Sequence, residues 1–203
     1  AIYYNTFVRP RRIYSDQLVE RTYSSLNRLG SVSQTAITLT PVVVNDTNFI
    51  NANISIFPGY MHFMQFGIDG TNSAGDLGIA ADATYEHKNI LKGGETFRVK
   101  LNGAYEFIAA SDSASLIDKS YYEYGVEAFL SIPQLLLPWV MKQLRDQPSA
   151  STEFSLGANF QNRSEYLRQF FNLSSRLQWS RRRWQVNNVV EPIDITYVRM
   201  PWM

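Results

Sequence analysis

Side chains able to do chemistry are few in this sequence, and they are scattered. The 203 residues include no Cys and two His, at positions 62 and 87. Without Cys there is no thiol nucleophile, thiolate metal site or disulfide. His62 and His87 stand too far apart in the pattern to pair on a metal ion, so no metal site is expected. Glu123 and Glu127 share one face of a strand with Gly125 between them. Paired carboxylates can exchange protons with a substrate, but on a recurring polar face they read as solvated charges. Gly93-Gly94 has no Lys-Ser/Thr opening a helix behind it, so it is no phosphate loop. No Ser/His/Asp set is visible. These residues give no expectation of an enzyme or of a cofactor. The net charge of +1 sets up no polyanion-binding field, so nucleic acid is not an expected partner. Two basic clusters remain, Arg9 with Arg11 and Arg12, and Arg181-Arg182-Arg183. Either can meet a partner or lipid headgroups, or simply be a solvated face or turn.

The elements that would hold these residues are mostly strands. In Gly75 to Phe107, Leu77, Ile79, Ala81, Ala83 and Tyr85 share one parity of the first run, and Phe97, Val99, Leu101, Gly103, Tyr105 and Phe107 share the same parity in the second. Asp82, Glu86, Arg98, Lys100 and Glu106 fall on the opposite parity. A period of two marks a strand with one apolar and one polar face. Asn89, Gly93 and Gly94 supply the reversal between the two runs. The same rhythm predicts seven strands, at 60–68, 76–87, 95–109, 121–132, 152–162, 169–180 and 184–199, with a bulge near Pro192. Polar connections are expected at 70–75, 110–120 and 163–168, and a longer one at 133–151.

Before them lies a different unit. Ser15 to Gly30 predicts a helix, with Ser15 as cap, Gly30 as stop, and Leu18, Val19, Tyr23, Leu26 and Leu29 at helical spacing. Strands follow at 31–41 and 49–57 around an Asn45-Asp46 turn. The division is therefore residues 1–57, a partial α+β module, and 58–203, a run of long antiparallel strands. No run of about 18 apolar residues occurs, so no transmembrane helix is expected. The strands exceed the usual soluble length of about five or six residues. Aromatic residues, 14% of the chain, recur near strand ends, as in an interfacial girdle. The pattern fits a transmembrane β-barrel, with a passive porin or a soluble β-sandwich binding module as the alternatives.

Several passages, in order, resemble the BamA/TamA superfamily of outer-membrane assembly proteins, especially its Bacteroidota members. IYSDQLVERTYSSLNRLGSVSQTAITLTP looks like the helix and following strand of a last POTRA module. NANISIFPGYMHFMQFGIDGTNSAGDLG resembles that module's final strand running into the first barrel strand. ATYEHKNILKGGETFRVKLNGAYE is similar to the family's second and third strands around a periplasmic turn. GVEAFLSIPQLLLPW and FQNRSEYLRQFFNLSSRLQWS resemble the fourth, fifth and sixth strands.

The resemblance implies a partial C-terminal POTRA module in the periplasm and about seven strands of an incomplete outer-membrane barrel. It implies a factor that inserts β-barrel proteins by templating incoming strands on its own first barrel strand. That seam would be Tyr60, Met61, His62, Phe63, Met64, Gln65, Phe66, Gly67 and Ile68. The implied partners are unfolded outer-membrane proteins, outer-membrane lipid and lipopolysaccharide, and the rest of its own barrel. Accessory lipoproteins would meet Arg9, Arg11 and Arg12. No cofactor is implied. A TamA-like role in translocation or export is the alternative within the superfamily.

Overall fold

The computed structural model describes residues 2–73, 76–107, 120–136, 150–163, 166–181 and 186–201. Nearly all of the loop expected at 110–120, most of the 133–151 connection, Ala74, Gly75, Trp139, Trp184, Arg182 and Arg183 lie outside the described residues.

The N-terminal unit is a short helix α1 (Ile2–Asn5), a longer helix α2 (Asp16–Asn27) and a two-stranded sheet of β1 (Val32–Val44) and β2 (Thr47–Pro58). Ser15 takes the N-cap position with extended backbone, but its side chain makes no cap bond; its carbonyl accepts from Leu18 and Val19 N–H. Leu26 and Leu29 are buried as the spacing predicts, whereas Tyr23 is exposed. The hub of the unit is Thr22, whose hydroxyl donates to Leu18 O (2.8 Å) and accepts from Phe7 N (2.9 Å) and Val8 N (3.2 Å). A buried hydroxyl carries little free-energy cost once it is bonded in this way. The β1–β2 hairpin turns on two residues with positive φ, Asn45 (49°) and Asp46 (58°), the backbone of a type I′ turn. Thr35, Ile37 and Leu39 pair with Ile56, Ile54 and Ala52 on the less exposed face.

The remaining strands form one antiparallel meander in sequence order: β3 (His62–Ser73), β4 (Asp76–Lys88), β5 (Thr96–Phe107), β6 (Ser120–Ile132), β7 (Ser151–Asn162), β8 (Leu167–Arg181) and β9 (Val186–Arg199). All seven predicted strands are present. Two bounds are corrected. Tyr60 and Met61 precede β3 rather than opening it, and β3 runs on to Ser73, so residues 70–73 are strand and not loop. The cause is the ladder: Thr71 pairs with Gly78 and Asn72 with Leu77, and that pairing outweighs a loop-like composition. The bulge falls where Pro192 predicts it. Ser175 pairs with Ile193 but Leu177 with Val190, which leaves one extra residue on β9.

The β4–β5 turn explains its own sequence. Asn89 (φ 74°) and Lys92 (φ 62°) are left-handed, and Gly94 (φ 91°) needs a residue without Cβ. The Asn89 side-chain carbonyl accepts Gly94 N–H at 2.9 Å, and the Glu95 carboxylate accepts Gly93 N–H at 2.8 Å.

One face of the sheet is polar and cross-linked. Arg98 bonds Glu86 (2.8 Å), Asn159 donates to Glu123 (2.8 Å), and Arg176 bonds Glu191 (2.8 Å). The other face is apolar, and among the described residues no second layer covers it. Phe66 is 76% exposed, Ile68 79%, Leu156 61% and Ile195 59%. Its cover is local. Residues 133–136 fold over the end of β7 and β8, where Leu135, Ala150 and Leu177 are buried beside Trp179. The Thr152 hydroxyl ties this return by donating to Gln134 O (2.8 Å) and accepting from Leu136 N (2.9 Å). On the same face, Tyr124, Phe160, Phe171 and Tyr197 form a row across β6 to β9, with ring centroids 5.1, 5.9 and 6.3 Å apart.

Candidate functional site: the open edge of β3

Among the described residues β3 pairs only with β4, so its other side is an edge. Which residues face that edge follows from one bond. Lys88 N–H donates to Met61 O at 2.8 Å, one step before the His62–His87 pair. Antiparallel ladders alternate between pairs that exchange backbone bonds and pairs that do not. Phe63, Gln65, Gly67, Asp69 and Thr71 therefore turn their N–H and C=O toward β4. His62, Met64, Phe66, Ile68 and Gly70 turn theirs outward.

The same alternation sets the faces. Residues bonded to β4 project onto the polar face, and residues with free backbone project onto the apolar face. The edge is thus a row of free N–H and C=O groups whose owners include the exposed Met64, Phe66 and Ile68. A strand joining here would set its own apolar-face residues opposite Met64, Phe66 and Ile68, because cross-strand partners share a face. β9, the other edge, runs parallel to β3, so the two cannot pair antiparallel with one another.

The polar side of this edge is a concavity of about 610 Å³ lined by Phe63, Gln65, Asp82, Glu86, Arg98 and Lys100, among others. The Asp82 carboxylate lies over Gly67, its Oδ1 only 2.1 Å from where a Cβ would sit. A second concavity, between the N-terminal unit and the sheet, is bounded by Arg28, Gly30, Lys88 and Thr96. Burial there disfavours the charged Arg28 guanidinium and lowers its pKa.

Of the two carboxylates with acid–base spacing, one is engaged in hydrogen bonds. Glu123 accepts from Asn159 Nδ2 and from the Tyr121 hydroxyl, and Glu127 stands opposite Lys100. Of the N-terminal arginines, Arg9 donates to Tyr3 O (3.1 Å) and stacks on the Tyr3 ring, while Arg11 and Arg12 are exposed.

The expectation that His62 and His87 lie too far apart is overturned. They are direct cross-strand partners with ring centroids 4.6 Å apart. The signal was present, since the two positions are equidistant from a reversal at 74–75. Reading 70–75 as a loop hid it. The alternation of β3 was hidden by its mixed composition, because Phe63 sits on the polar face and Gly67 has no side chain.

No protein-family model, no curated protein and no solved structure matches the chain.

Proposed function

We propose that the chain is a β-strand template held in the bacterial outer membrane, which assembles β-barrel proteins by adding their strands to the open edge of β3. One observation carries this reading: the free backbone row of β3 belongs to Met64, Phe66 and Ile68, whose side chains lie exposed on an uncovered apolar face. Free N–H and C=O groups are a template for strand addition. In lipid each unpaired group costs several kcal/mol, so an edge there gains strongly from an incoming strand. The N-terminal unit is read as a partial POTRA module in the periplasm, and the seven strands as part of a transmembrane barrel. The partners are unfolded outer-membrane proteins, lipid, lipopolysaccharide and the rest of its own barrel, with Arg11 and Arg12 open to an accessory lipoprotein. Backbone pairing and lipid burial drive the step without a cofactor.

Proline tests the reading in two registers. Phe66→Pro removes an outward N–H and leaves the β4 ladder whole; Gln65→Pro removes a ladder bond. In cells relying on the variant protein, Phe66→Pro is expected to reach the membrane yet fail to assemble outer-membrane barrels. Normal assembly by Phe66→Pro would overturn the template. Failure confined to a few substrates would assign a TamA-like role instead.

A further inference from the structure

The imidazoles of His62 and His87 take no part in the backbone pairing that would add a strand to β3, and their geometry suits another task. Both imidazoles project from one face, from a pair that does not exchange backbone bonds, the kind in which opposing side chains come closest. Their centroids are 4.6 Å apart. His62 Nδ1 is engaged by the Tyr85 hydroxyl at 2.9 Å, which leaves Nε2 as the nitrogen free to bind. His87 Nδ1 is shielded from solvent and has no hydrogen-bond partner. His62 is exposed, so an ion has a way in.

We propose that His62 and His87 form a two-imidazole clamp for a divalent ion of the late first transition row, with Tyr85 fixing the His62 ring. Imidazole nitrogen favours copper, nickel and zinc over magnesium or calcium, and copper(II) binds such donors most tightly. Among the described residues no group of three His, Cys, Asp or Glu converges, so the remaining coordination positions are left to groups from outside them. The Tyr85–His62 bond is the outer-sphere contact that fixes tautomer and ring orientation. Binding would satisfy the orphaned His87 nitrogen and tie the foot of β3 to β4, next to the open edge. An ion that binds the folded pair alone also stabilises that pairing by mass action.

The test is a titration of the full chain in detergent micelles with copper(II) alone, followed by electron paramagnetic resonance. The expected result is one ion per chain with hyperfine coupling to two imidazole nitrogens, lost in His62→Asn and in His87→Asn. Tyr85→Phe is expected to keep the two-nitrogen signature and weaken binding by about tenfold. Coupling to fewer than two nitrogens in the unaltered protein would overturn the clamp, and that measurement needs no variant to fold. An unchanged signal in either His variant, or no binding at micromolar copper, would overturn it as well. The readout is binding, so it stands apart from the strand-template reading.

Discussion

Gly67 on the edge strand faces Asp82 on β4, and the Asp82 carboxylate fills the space a side chain at position 67 would need. Gly67→Val must displace that carboxylate, which is the end of a side chain bordering an open concavity and can turn away. The loss is therefore at the low end of overpacking costs, about 1 kcal/mol. A lowered denaturation midpoint is expected for Gly67→Val in micelles. Restoration of most of the loss by adding Asp82→Ala would establish the contact as its cause, since coupled neighbours are non-additive.

The apolar face can be tested by charge. Leu156 is 61% exposed in the middle of β7. In water, Leu156→Arg would change stability by no more than about 0.5 kcal/mol. Facing the middle of a bilayer it costs about 2–4 kcal/mol. Thr196 lies at similar depth on the polar face, paired with Asn172, which pairs with Gly157. Thr196→Arg is expected to leave membrane integration intact while Leu156→Arg impairs it, read by the membrane-embedded fraction. Equal recovery of the two variants would argue against lipid on the Leu156 side.

Thr152 holds the strap at 133–136 through two backbone groups with one hydroxyl, and is 1% exposed. Thr152→Val keeps the shape and leaves Gln134 O and Leu136 N unpaired, at a cost of about 1–3 kcal/mol. Thr152→Ser keeps both bonds and is expected to lose less. Thermal melts of the two variants check the order.

Two Arg–Glu pairs of the same length differ in setting. The Glu86 side chain is 13% exposed beside Arg98, whereas Arg176 and Glu191 are 52% and 44% exposed. Exposed ion pairs contribute about 0–1 kcal/mol. Arg98→Ala leaves a shielded carboxylate without its closest partner, a larger loss of about 1–3 kcal/mol. Denaturant midpoints should fall further for Arg98→Ala than for Arg176→Ala.

The sequence by itself determined the local geometry. Alternation located seven strands, Asn45-Asp46 and Asn89 to Gly94 marked reversals, and Pro192 marked a bulge. These are legible because a strand's period and a turn's φ values are properties of a few consecutive residues. Only the tertiary structure decided the rest. Residues 70–73 became strand because residues 76–79 pair with them, and Tyr23 stayed exposed because the core closes around Leu26 and Leu29. Which backbone groups of β3 are free depends on which strand lies beside it, and no window of sequence contains that. The same holds for Asp82 over Gly67 and for His62 against His87, since register brings together residues whose own segments carry no sign of each other.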